Sequence, residues 1–328
     1  MVVAKVFEKP AGYEKAPVDQ DGLWKKVIGE LFEDFLLFFA PKFHAQVDFR
    51  KEVDFLDKEL YKEVIEEKKG LRIADQIVKV HLNGGKEKWV LVHVEVQSEN
   101  QEDFAKRMFQ YFYRIYDRFE QEIMALAIMT SPSKSEYAEQ FDYSFYGTEL
   151  YYAYTNCKTE DYDNEQLEQS DKIFSKIILA VKYMNATKDD ADKRYAFKEK
   201  LLRSVIKDLG HSFTTLRAVF YFIDYMMRLP EELSKQMTAI IQPILTKEAK
   251  GMVQFNNEDL SPTLAGIFEL EREEGREEGR EEGREEGREG IKEIARALLA
   301  DSMPVESIVR ITKLQLEEVE ALRDELKH

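Results

Sequence analysis

"WVLVHVEVQS", residues 89–98, is the stretch on which the fold turns. Side chains on a strand alternate between faces, so Val90, Val92, Val94 and Val96 share one side and Leu91, His93, Glu95 and Gln97 the other. The valine side belongs in a core. The other side carries a carboxylate and a carboxamide two residues apart, which packing alone does not require.

The preceding segment, "LRIADQIVKVHL", also has period two, and Asn83, Gly84 and Gly85 then supply turn residues. The two runs read as a β-hairpin. If it is symmetric about Gly85, paired positions sum to 170, and Asp75 faces Glu95. Opposed Cβ atoms stand roughly 4.5–5.5 Å apart, where like charges are destabilising. A hard cation offers compensation: two carboxylates, a carbonyl and waters suit Mg²⁺, which orients water and neutralises charge developing on a phosphodiester. Gln97, on the same face, would position water or phosphate by hydrogen bonding, since an amide cannot serve as a general base. Taken alone, an Asp and a Glu on a hairpin read as solvated surface residues.

Around the hairpin the helical period dominates. In "DGLWKKVIGELFEDFLLFFAP", Leu23, Trp24, Val27, Ile28, Leu31, Phe32, Phe35, Leu36 and Phe39 recur at three and four spacing, with Asp21 as expected N-cap and Pro41 as stop. A short helical stretch is expected at "EVDFLDKELYKEV". After the hairpin, "EDFAKRMFQYFYRIYDRFE" places Phe104, Met108, Tyr111 and Ile115 on one stripe and Arg107, Arg114 and Arg118 on a neighbouring one. Strands follow in "IMALAIMTS", "FDYSFYG" and "ELYYAYTN", and residues 165–250 read as almost entirely helical. From Arg272 the tetrapeptide REEG repeats, and residues 269–290 hold 11 Glu and 5 Arg. Each Glu–Arg i,i+3 pair supports a helix by about 0.2–0.5 kcal/mol, whereas each Gly costs about 1 kcal/mol relative to Ala. The repeat is therefore expected as a marginal exposed helix or a flexible, adjustable spacer. The remaining "MPVESIVRITKLQLEEVEAL" has helix-turn-helix spacing, with Lys313 where a turn glycine is common. Its second helix carries Glu317, Glu318, Glu320, Asp324 and Glu325, which would repel phosphate, so protein association suits it better than groove reading.

The chain of 328 residues, 44% hydrophobic, is long enough for a substantial core. A formal charge of −16 argues against coating nucleic acid through bulk positive charge, though not against a local basic groove. One cysteine, Cys157, allows no internal disulfide, and "MVVAKVFEKPAGY" lacks the order of a signal peptide. A reducing, cytoplasmic setting is expected. No apolar run approaches the roughly 20 residues of a membrane span.

"LWKKVIGELFEDFLLFFAPKF", "DFLDKELYKEV", "RIADQIVKV", "VLVHVEVQSENQEDFAKRMFQYFYRIYDRF" and the late Gly–Arg–Glu repeat resemble the Rpn family of recombination-promoting nucleases, also described as transposases. The resemblance covers most of residues 20–130 and, more loosely, the helical region and tail. It implies a PD-(D/E)XK restriction-endonuclease-like α/β fold: a mixed sheet flanked by helices, followed by a helical region and a short helical tail. The implied divisions are a nuclease-like core at 15–160, a helical region at 161–268, the repeat spacer at 269–290 and an association module at 291–328. The family pattern maps Asp75 and Glu95 onto the two acids, as metal and catalytic residues, and Gln97 onto the usual lysine position. Ala74 and Gln97 depart from the motif's proline and lysine. Implied with it are Mg²⁺ or Mn²⁺ as cofactor and DNA as substrate. From the residues themselves, Arg107 and Arg114 read as phosphate contacts or as solvated surface pairs, and the C-terminal helices as the contact of a homo-oligomer. Glu30 and Glu59 are further acids that helices could bring to the site, and His93 reads as a packed neighbour. The acidic charge and the lost lysine favour an alternative, a catalytically weak, domesticated relative serving as a DNA-associated or protein-association module.

Overall fold

The computed structural model describes residues 19–56, 76–95, 104–132, 139–207, 212–248 and 260–326. Two compact units divide the chain, Met1–Ile267 and Phe268–His328.

In the first unit, α1 (Gln20–Glu30) begins at Asp19, whose carboxylate accepts from the Gly22 amide at 3.0 Å. Asp21, the expected cap, instead lies inside the first turn, where a negative charge suits the helix dipole. The expected single helix breaks at Leu31 (φ −127°, ψ 41°) and resumes as α2 (Phe32–Phe39). Pro41 ends that run and opens the four-residue α3 (Pro41–His44), because proline lacks only an amide that the first turn leaves unbonded anyway.

The sheet has the order β1-β2-β3-β4-β7. Here β1 is Asp54–Phe55, β2 Gln76–His81, β3 Glu87–Glu95, β4 Ile123–Met129 and β7 Thr155–Lys158. The first three strands pair antiparallel, and β3–β4 and β4–β7 pair parallel. Parallel neighbours need a crossover, and α4 (Phe104–Phe119) supplies it between β3 and β4. The short helix expected from residue 52 is at its start the strand β1, and residues 57–75 lie outside those described.

Both hairpin strands form as expected, in a different register. Gln76 pairs with Val92 and His81 with Glu87, so paired positions sum to 168 and the centre falls on Gly84. The cause is loop closure: the Leu82 amide donates to Lys86 O at 2.8 Å, and Gly84 and Gly85 turn the chain with φ of +106° and +82°. Segment 46–48 adds to it, since the Asp48 amide donates to His81 O and the Asn83 amide to Gln46 O, each at 2.8 Å. A shift of two keeps every residue on its expected face.

Val78, Val80, Val90, Leu126 and Ile128 line one face and are fully buried. On this side Gln76 donates to Lys25 O of α1 at 2.9 Å. The opposite face is covered by α4, whose Phe104 and Met108 pack on Ala127 and Met129 while Tyr111 and Ile115 pack on Ile77. A separate hairpin, β5 (Gln140–Phe145) with β6 (Thr148–Ala153), lies against α4 through Phe141 and Tyr152.

The helical layer comprises α5 (Asn164–Gln169), α6 (Ile173–Ala186), α7 (Ala191–Lys207), α8 (Phe213–Met226) and α9 (Glu231–Glu248). Phe35 and Phe39 of α2 meet Phe174 of α6, and Trp24 of α1 meets Phe222 of α8, with ring centroids 5.2–5.9 Å apart. Deep in the layer, Lys198 Nζ donates to Asp224 Oδ1 at 2.7 Å and to Met227 O at 3.1 Å. The same carboxylate accepts from the Thr263 hydroxyl and amide, at 2.7 and 2.9 Å, in the first turn of α10 (Pro262–Ala300). It thereby caps a helix from outside that helix.

The REEG repeat lies within α10, so of the two expected forms the structure takes the helix. Flanking turns supply the nucleus that a short isolated helix would have to form for itself. Arg272–Gly290 are exposed throughout, and apart from the helix's own backbone no atom of the described residues stands within 4 Å of where a Cβ would sit at Gly275, Gly279, Gly283 or Gly287. In the second unit, Ala295 of α10 packs with Ile308 of α11 (Val305–Thr312) and with Val319 and Leu322 of α12 (Leu316–Glu325). Lys313 takes the left-handed turn (φ 58°), and Gln315 and Glu318 form a capping box. No helix among the described residues is long and apolar enough to cross a membrane.

Candidate functional site

The carboxyl ends of β3, β4 and β7 lie together, and at open α/β sheets ligands sit at such ends. Glu95 is the last residue of β3; its backbone is level with Met129, which is level with Lys158. One step inward, His93, Ala127 and Asn156 form a second level row. In-register parallel positions share a face, so both rows belong to the face under α4. With strands about 4.8 Å apart, the backbones of Glu95 and Lys158 stand about 10 Å from each other.

Asp75, Gln97 and Glu59 lie outside the described residues, as do the side chains of Glu95 and His93. The opposition inferred between positions 75 and 95 rested on a sum of 170, and the observed 168 removes that basis. Among the described residues no three His, Cys, Asp or Glu side chains group as a metal cage.

Arg107 and Arg114 are half-buried on one flank of α4, two turns apart and so about 10 Å along the axis. The Arg107 guanidinium lies over the Phe104 ring, 5.7 Å from its centroid. Glu30 is engaged elsewhere, with Lys26 at 3.6 Å and Arg217 of α8 at 3.5 Å.

Several polar groups at this end escaped the sequence reading. Lys158 reaches Glu139 at 3.3 Å. The Asn156 amide atoms and the Tyr152 hydroxyl are buried and have no hydrogen-bond partner among the described residues. Burial, and then the neighbouring Tyr154, push the Tyr152 hydroxyl well above the ordinary tyrosine range. Tyr154 is raised by burial and by Glu139. On the opposite face burial lifts the Cys157 thiol to about 11, against a hydrogen bond with Tyr162 that lowers it. The expected run ELYYAYTN stops at Asn156 and divides in the structure into β6 and β7, and the place of β7 beside β4 was not legible.

The chain matches no protein-family model, no curated protein and no solved structure.

Proposed function

We propose that the chain is a divalent-metal-dependent DNA endonuclease of the recombination-associated class it resembles, with a PD-(D/E)XK-like core. The observation that carries this reading is the place of Glu95: it ends β3 at the carboxyl edge of a mixed sheet, under the helix that bears Arg107 and Arg114. The mixed sheet flanked by helices agrees with the fold the resemblance implies.

Asp75 and Glu95 are hard oxygen donors of the kind Mg²⁺ or Mn²⁺ takes, and they would hold the ion. When bound, such an ion supplies charge neutralisation on phosphate and a more acidic water. Gln97 orients water or phosphate as a neutral hydrogen-bonding group and moves no proton. Arg107 and Arg114 contact the phosphate backbone, which fixes position without reading sequence. Residues 291–328 serve association.

Plasmid DNA incubated with Mg²⁺ or Mn²⁺, with and without EDTA, provides the test. Glu95→Gln and Asp75→Asn should each abolish cleavage while circular dichroism and thermal midpoint hold. Undiminished cleavage by Glu95→Gln, or unchanged divalent-ion affinity in both variants by calorimetric titration, would sink the mechanism. The formal charge of −16 and the glutamine at position 97 favour one other reading, a DNA-associated or protein-association module. Metal-independent binding with no cleavage would select it.

A further inference from the structure

We propose that the β5–β6 hairpin joins two copies of this chain, β5 of one pairing antiparallel with β5 of the other about a two-fold axis at Tyr143. The hairpin closes through the two-residue loop Tyr146–Gly147, with φ of +44° and +85°. That is the primed geometry which matches strand twist. Phe145 and Thr148 are the closing pair, so residues 141, 143 and 145 direct their backbone groups toward β6, and Gln140, Asp142 and Ser144 direct theirs outward.

Among the described residues no strand other than β6 lies beside β5. Nothing within it blunts the open edge: residues 140–145 contain no proline, no lysine and one charge, Asp142. A two-stranded hairpin is itself marginal in water. Its aromatic face is only half covered. Phe141 stacks on Phe109 at 5.3 Å and Tyr152 lies tilted against Phe112 at 5.0 Å, but beyond them Tyr143 is 47%, Phe145 60% and Tyr146 95% exposed. Contiguous apolar surface of this kind marks an interface.

The occupant follows from symmetry and charge. With the axis at Tyr143, positions on the two β5 strands sum to 286, so Asp142 of each copy meets Ser144 of the other. Those are the residues whose backbone groups point outward, so ladder and register agree. Phe141 then faces Phe145 and Tyr143 faces its own counterpart, giving aromatic cross-strand pairs. No carboxylate opposes a carboxylate. Nucleic acid suits this edge poorly: residues 139–153 carry Glu139, Asp142 and Glu149 and no Lys or Arg.

Light scattering on the full chain across a micromolar to submillimolar range supplies the first measurement. Ser144→Pro removes an outward amide that the β5–β6 ladder does not use. It should lower the mass twofold with the far-UV circular dichroism spectrum unchanged and the concentration dependence of the thermal midpoint lost, whereas Ser144→Ala should leave the mass as it was. Tyr143→Cys should form an intermolecular disulfide on mild oxidation, because facing residues of a non-hydrogen-bonded pair fall within bridging distance, roughly 4.4–6.8 Å between Cα atoms. Asp142→Cys, offset by two residues from its counterpart, should not. A chain monomeric at every concentration overturns the proposal. So does a Ser144→Pro protein of undiminished mass, and the exposed Ile294 and Ile311 would then be the place to look: a fall in mass with Ile294→Asp or Ile311→Asp would assign the contact to the C-terminal helices instead.

Discussion

Lys198 and Asp224 are 3% and 1% exposed, so neither charge is solvated by water. What holds them there is mutual pairing and hydrogen bonding: the ammonium has Asp224 and Met227 O, and the carboxylate has Lys198 and both donors of Thr263. Removing one partner strands the other in a low-dielectric interior, which costs about 3–5 kcal/mol. Lys198→Met should therefore lower stability by about that amount in urea denaturation. Adding Asp224→Asn to it should recover much of the loss, because the lone buried carboxylate is gone. Additive costs in the two single variants and the double would show that the charges do not depend on each other.

Among elements, Glu168 ties three helices: from α5 its carboxylate receives the Tyr183 hydroxyl of α6 and the Lys200 ammonium of α7, the latter at 2.6 Å. Lys200 and then Tyr183 hold its carboxyl below the usual 4.5. A depressed carboxylate contributes stability that is present above its unfolded pKa and is lost as pH falls through the folded value. Glu168→Gln should thus lower the thermal midpoint at pH 7, with the deficit shrinking as pH drops below about 4.5. A deficit that does not change with pH would mean that packing rather than charge accounts for it. Element identity was largely legible in sequence because it depends on spacing: Phe104, Met108, Tyr111 and Ile115 read as a buried stripe and are one. Register and neighbourhood were less so. The hairpin centre falls on Gly84 through the closure of its own loop, and Gln46 and Asp48, some 35 positions away, add bonds to its end that no local pattern announces. The break at Leu31 and the strand at Asp54 likewise depend on tertiary surroundings. Of the expected site, the face shared by His93 and Glu95 came from alternation alone; that Asn156 and Lys158 stand in the same rows follows only from the order of the strands.

For the molecule as a whole, α10 is anchored at its start and largely bare after it. Thr263 is bonded to Asp224, and a Cβ on Gly266 would stand 3.0 Å from the Thr238 side chain, so the first turns are fixed closely against α8 and α9. Beyond them the repeat exposes Arg272, Arg276, Arg280, Arg284 and Arg288 on a helix that each glycine weakens by about 1 kcal/mol. Arg288, at the far end of the repeat, is paired with Glu318 of α12 at 2.5 Å. A protease cuts only backbone that has opened, and opening is easiest where buried apolar contacts are few. Brief trypsin treatment should therefore nick the chain between Arg272 and Arg288 before it attacks the sheet or the helical layer. Mass spectrometry should find end-fragments spaced by one REEG unit. Replacing any one of Gly275, Gly279, Gly283 or Gly287 with Ala should slow cutting beside it roughly fivefold, the factor that 1 kcal/mol of helix propensity sets. The repeat thus makes proteolytic lifetime a property that can be lengthened one glycine at a time without altering a single core residue.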